Sequence, residues 1–105
     1  MDHLDITHHF SSREYAKETF LPMGSEVPQH AHTHDHLAIL AAGRALVEVD
    51  GVETRYHGPC CIVIEAGKVH KVTALTDVVW YCVWAHGGCT DPERIDETLI
   101  AGVTR

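Results

Sequence analysis

Positive charge is scarce in this sequence. Eight Lys and Arg stand against fifteen Asp and Glu, a formal net charge of −7, and the eight are scattered along the chain. Nothing gathers into a basic face that could hold phosphates, so nucleic acid is not expected as a partner. No apolar run approaches the length of a membrane span. The opening MDHLDITHHF is acidic and polar where a signal peptide would be basic and then apolar, so a soluble cytoplasmic protein with no membrane partner is expected. Cysteine is sparse too. Cys60 and Cys61 are neighbours, and Cys82 and Cys89 follow neither a C-x-x-C nor a zinc-finger spacing, so the four are read as reduced thiols, mostly buried and inert. Low-complexity tracts, internal repeats and linkers are absent. What remains is 105 residues, 45% hydrophobic, enough for one core and too few for two. A single domain over 1–105 is expected, with 1–12 loosely ordered.

The texture is β almost throughout. RALVEV alternates and stops at Asp50-Gly51, a pair suited to a tight hairpin turn. CCIVI, KVHKVTAL and VVWYCVWA are β-branched or aromatic runs separated by EAG, TD and HGG, and EYAKETFL closes at Pro22 and Gly24. Short strands at this density point to an antiparallel sandwich or barrel. The last segment reads either as a short helix or as a loop turning at Asp91-Pro92. In the helical reading Asp91 caps, Pro92 takes the first position, Ile95 and Leu99 share a face and Gly102 terminates.

Histidine is where the sequence is unusual. QHAHTHDHL places His30, His32, His34 and His36 at every second position. On a straight strand these four would share a face. Each imidazole has two nitrogens to satisfy, and two charged rings repel, whereas one divalent cation occupies several lone pairs together. A solvated face, a satisfied core cluster and a metal site all compete; the periodicity favours the metal.

The spacing around these histidines carries more. From Gly24 there are five residues to His30, one to His32, three to His36 and six to Gly43. This resembles the first motif of the cupin family, G-x5-H-x-H-x3-E-x6-G, with His36 where the family usually has glutamate. A second stretch, GPCCIVIEAGKVHKVTA, begins at Gly58 and resembles the second motif, G-x5-P-x-G-x2-H-x3-N. Gly67 and His70 keep the G-x2-H relation. Glu65 replaces the proline, one residue further from Gly58, and Ala74 replaces the asparagine. The resemblance covers residues 24–74 and implies an all-β cupin domain, the double-stranded β-helix or jelly-roll barrel, here with a short C-terminal helix as one reading of the tail.

The resemblance also implies a ligand set, His30, His32, His36 and His70, for one divalent transition metal. Manganese or iron is the family's common choice; zinc, nickel or copper would also accept imidazoles. Four neutral ligands leave the ion its full charge, which should draw anionic small molecules, and an octahedral arrangement would leave two positions open. Dioxygenase or other oxidoreductase chemistry on a small molecule is therefore expected. A non-redox isomerase or lyase, and a cupin that binds a metal or metabolite without turnover, are the alternatives. His34, Glu65, Tyr81 and Trp84 are the candidates for the pocket around the metal, and the catalytic residues are not identified. His57 and His86 are placed at strand ends as surface or turn residues.

With His36 and His70 facing inward, Ala38, Leu40 and Ala42 should line the interior beside the first, and Val72 and Ala74 beside the second. In VVWYCVWA the sequence leaves open whether Trp80, Cys82 and Trp84 or Val79, Tyr81 and Val83 face inward. Leu37, Ile39 and Leu46 would form an outward apolar row, which suggests a homodimer.

Overall fold

The structure, a computed structural model, describes residues 5–28 and 34–98. Nine strands follow in chain order: β1 (Asp5–Phe10), β2 (Glu14–Leu21), β3 (Glu26–Pro28), β4 (His36–Ala42), β5 (Arg44–Val49), β6 (Val52–His57), β7 (Cys60–Ile64), β8 (His70–Ala74) and β9 (Val78–Ala85). They form two antiparallel sheets, one ordered β1-β2-β9-β4-β7 and the other β3-β8-β5-β6. Consecutive strands mostly lie in different sheets, the jelly-roll arrangement. Among the described residues the two sheets are not hydrogen-bonded into one closed cylinder, so the barrel is a sandwich of facing sheets.

Why the chain divides this way is visible in its turns. β5 and β6 pair from Arg44↔His57 to Val49↔Val52 around Asp50 and Gly51, both at positive φ, as a two-residue turn of the hairpin type requires. Gly43, at φ 95, has the backbone oxygen of Asp77 where a Cβ would stand, so only glycine lets β4 turn into β5 beside the β8–β9 loop.

The core is the set of inward side chains of both sheets. Tyr15 and Leu21 from β2, Trp80 and Val78 from β9, Ala38 and Leu40 from β4, and Ile62 and Ile64 from β7 face Ala45 and Val47 from β5 and Val72 and Ala74 from β8. Alternation decides β9: Trp80, Cys82 and Trp84 are buried, and Val79, Tyr81 and Val83 lie on the other face. Val72 and Ala74 are buried as expected, but Ala42 is exposed, because the β4–β9 register shifts between Leu40 and Ala42 and turns the last residue of β4 out.

Three further expectations are corrected. Residues 5–10, expected to be loose, are a strand paired along its length with β2, from Asp5↔Phe20 to Phe10↔Tyr15. Within the described residues the C-terminal segment is a 3₁₀ turn over Ile95–Thr98 and not a longer α-helix. Asp91 does cap its approach, accepting from the Glu93 amide at 2.9 Å, and Ile95 is fully buried; Leu99 and Gly102 lie outside the described residues. The thiols are all free, but only Cys82 is buried: Cys60 and Cys89 are half-buried and Cys61 is exposed.

Candidate metal centre

The two motif segments meet in space. The Gly24 amide donates to the Ala74 carbonyl at 2.8 Å and the Ala74 amide donates to the Ser25 carbonyl at 2.9 Å, which joins the start of the first motif to the end of the second. Likewise the Gly58 amide donates to the Gly43 carbonyl at 2.8 Å, and a Cβ at Gly58 would stand 2.9 Å from the Leu40 carbonyl oxygen. Gly24, Gly43 and Gly58 therefore mark places where backbone touches backbone.

His36 opens β4 in one sheet and His70 opens β8 in the other, and both rings are buried. They are close enough that a charge on His70 would be felt at His36, where it would oppose protonation. The Nδ1 of His36 lies 3.1 Å from the Leu37 carbonyl oxygen and that of His70 lies 3.3 Å from the Lys68 carbonyl oxygen. A carbonyl only accepts, so in both rings Nδ1 carries the proton and Nε2 holds the lone pair. Both Nε2 atoms are shielded from solvent. Burial lowers the pKa of each ring below the ordinary 6.5, against the opposing pull of the backbone hydrogen bond. Neutral, with Nδ1 tethered to the backbone and Nε2 turned inward, is the state in which an imidazole binds a metal. The residues present thus fit a transition-metal ligand pair.

Of the remaining expected ligands, His30 and His32 lie outside the described residues. Among the described residues no group of three or more His, Cys, Asp or Glu stands ready to hold a metal ion.

The pocket candidates separate. Trp84 stands beside His36: its ring meets that imidazole edge-on at 5.9 Å between centroids. Tyr81 is on the opposite face of β9, near His9 and next to Glu18, and is turned away from the interior. Glu65 is exposed and paired with Lys68 at 2.8 Å, and His34 is exposed on the approach to β4. Neither joins the buried pair. His57 is exposed at the end of β6; His86 follows β9 in a turn but is buried, with its Nδ1 accepting from the Gly88 amide at 3.0 Å and its Nε2 donating to the Ser11 carbonyl at 3.0 Å.

Two carboxylates that the sequence reading passed over hold the site together. Asp35, the residue before His36, accepts from the Ala66 amide at 2.7 Å. Asp50, in the β5–β6 turn, accepts from the Val69 amide at 3.2 Å while its own amide donates to the Val69 carbonyl at 2.9 Å. The loop ahead of His70 is therefore fastened at both ends, once to the residue that leads into β4 and His36. The signal was an aspartate beside each anchor point, which in isolation reads as turn chemistry.

A cupin-domain family profile matches residues 17–84, well over half of the chain, and the chain belongs to the cupin family. It is similar in structure to a cupin superfamily protein from Desulfitobacterium hafniense, with 14% identity, TM-score 0.71, and 79% of this chain and 77% of that chain covered. It is also similar to KdgF from Halomonas sp., with 20% identity, TM-score 0.64 and coverage of 78% and 76%. A predicted oxalate decarboxylase from Thermotoga maritima is similar at 15% identity, TM-score 0.67 and coverage of 76% and 77%. These identities speak for the fold alone. No curated protein sequence matches the chain. No helix among the described residues is long and apolar enough to cross a membrane.

Proposed function

We propose that this cupin is a metal-dependent enzyme acting on a small, anionic molecule, with oxygenase-type oxidoreductase chemistry at one ion held by His30, His32, His36 and His70. The observation that supports it most is the pair of buried imidazoles, one from each sheet, each with its proton on the backbone side and its lone pair on the other. A bound iron or manganese ion would supply a redox-active Lewis acid.

The chain's own residues define the rest. His36 and His70 stay neutral through the physiological range because burial disfavours their charged forms. Neutral ligands do not cancel a cation's charge, so a carboxylate or enolate is favoured over a neutral substrate. Trp84 keeps water from one side of His36 and offers an aromatic surface to the substrate. A predicted oxalate decarboxylase among the similar structures names a small dianion, in keeping with this charge argument.

The test begins with metal analysis of protein loaded with iron(II) or manganese(II), then oxygen consumption with small enol, phenol and thiol acids. One metal per chain, lost in His70→Ala, together with oxygen uptake that depends on the substrate, is the expected result. Full activity with zinc, or turnover without oxygen, would overturn the oxygenase assignment. Unchanged metal content in His70→Ala would overturn the site.

A further inference from the structure

We propose that Trp84, Tyr15 and His8 form a relay that carries an oxidising equivalent from the side of His36 to the β1 edge of the molecule, an electron passing from Tyr15 to Trp84 while the phenol proton passes to His8. The use assigned to it, draining a one-electron oxidant that arises when oxygenase chemistry misfires, rests on the function proposed above. The relay itself rests on contacts within this chain.

Strand register builds the row. Tyr15 of β2 pairs with Trp84 of β9, and Phe10 of β1 pairs with Tyr15. On the other side Leu37 pairs with Val83, so His36 and Trp84 take the next position of the same antiparallel ladder. Four adjacent strands thus set ring beside ring, with His36 to Trp84 at 5.9 Å and Trp84 to Tyr15 at 4.8 Å between centroids, both edge-on. Packing alone asks only for apolar rings in such a row. Here the two middle members are tryptophan and tyrosine, the aromatic side chains that give up an electron most readily, and Phe10, 4.9 Å beyond Tyr15, is one that does not.

The proton has its own exit. Tyr15 is fully buried, its hydroxyl lies 2.6 Å from His8 Nδ1, and the His8 ring stacks on it at 5.8 Å between centroids. Desolvation, and then the nearby Asp96 charge, raise the phenol pKa well above its ordinary 10, so the hydroxyl keeps its proton and a neutral His8 accepts the hydrogen bond. A phenol that loses an electron becomes a strong acid, so a buried tyrosine is oxidised readily only with a base in contact. His8 is that base, half-buried on the edge strand and able to pass the charge to solvent. Lys17, opposite His8 in the register, is matched by Asp96 at 3.1 Å, so a proton on His8 meets no uncompensated cation there.

The step balances. A one-electron oxidant in the centre takes one electron from Trp84 and leaves its radical cation. Tyr15 replaces that electron as its O–H bond breaks and an N–H bond forms at His8 Nδ1. The products are neutral Trp84, a neutral tyrosyl radical and the His8 imidazolium. A one-electron reductant in solution, of the thiol or ascorbate class, then restores the electron over the His8 edge, and His8 returns the proton. The other oxidisable rings stand off this line. Trp80 donates to Cys82 Sγ at 3.2 Å, and Tyr56 is half-buried on β6. Tyr81 lies on the outer face beside Ile39; Leu46, expected from the sequence in that outward row, belongs to β5 in the other sheet.

Flash photolysis of the metal-free protein tests this, with excitation at the red edge of tryptophan absorption and a cobalt(III) ammine in solution as electron acceptor. The tryptophan radical should decay as a tyrosyl radical rises, and the rise should slow in deuterium oxide. In His8→Ala, which removes the base, the rise should be at least about a hundredfold slower. Tyr15→Phe and Trp84→Phe, each keeping a ring in the row, should abolish it, whereas Trp80→Phe should not; Tyr56 and Tyr81 remain in every variant as internal controls. A tyrosyl yield unchanged in Tyr15→Phe or Trp84→Phe, or a rise indifferent to His8→Ala, would overturn the proposal. No metal takes part, so this outcome and the metal content of His70→Ala can fail separately.

Discussion

Removal of the Asp35 carboxylate isolates what the loop clamp contributes to the centre. In Asp35→Ala the Ala66 amide loses a charge-assisted acceptor at 2.7 Å, and the segment ahead of His70 loses its tie to the residue before His36. Hydrogen bonds to charged groups are worth about 1.5–3 kcal/mol, and exposure of Asp35 brings this one to about 1 kcal/mol. With the segments that lead into β4 and β8 no longer tied to each other, His36 and His70 must be aligned by the metal itself, so the same 1 kcal/mol appears in binding as an affinity about fivefold weaker. Asp35→Asn keeps an oxygen acceptor and should recover most of the loss. The assay is competition against a metal chelator for wild type and both variants, with hydrogen exchange at Ala66 reporting the clamp directly. If the Ala66 amide exchanged freely in Asp35→Ala while metal affinity stayed at the wild-type value, the clamp would not position the ligands and the reasoning would fail.

Acid should destabilise the metal-free protein early. The pKa values of His36 and His70 are lowered in the folded state, so below about pH 6.5 the unfolded chain takes up protons that the folded chain refuses. Their contribution is complete above that value and is lost as pH falls through the folded pKa values; urea midpoints that do not change between about pH 7.5 and about pH 5.5 would contradict neutral burial of these rings. Tyr15→Phe should cost about 1 kcal/mol, since it removes the hydroxyl bonded to His8 Nδ1 at 2.6 Å and keeps the ring packed against Phe10 and Trp84; a loss above about 3 kcal/mol in urea unfolding would show that the ring itself had been displaced. Cys82, buried with its thiol pushed up to about 11 chiefly by desolvation, should resist alkylation until the protein unfolds. Mass mapping that finds Cys82 modified in the native state would refute its burial.

The hairpin at Asp50-Gly51, the strand runs and the motif spacing from Gly24 to Ala74 were legible because each depends on neighbours along the chain: a turn needs particular φ values, and a ligand spacing is a distance in residues. The inward face of β9 was not legible, and the reason is specific. Alternation identifies the buried face only when the other face is polar, and here Val79, Tyr81 and Val83 are as apolar as Trp80, Cys82 and Trp84. β1 was missed for the opposite reason. As an edge strand it buries little, and DITHHF shows no apolar alternation.

The sequence by itself determined that this chain would fold as short strands, that glycines would punctuate them at fixed intervals, and that histidines from two separated segments could serve one cation. Only the tertiary structure decided that His36 and His70 approach each other from different sheets with Nδ1 spent on the backbone, that Trp84 and not Tyr81 stands beside His36, and that Asp35 and Asp50 fasten the loop ahead of His70. The division is physical. Turn and strand preferences act over a few residues, whereas the side of a sheet on which a ring lies, and the carbonyl that takes its proton, depend on strands brought together from distant parts of the chain.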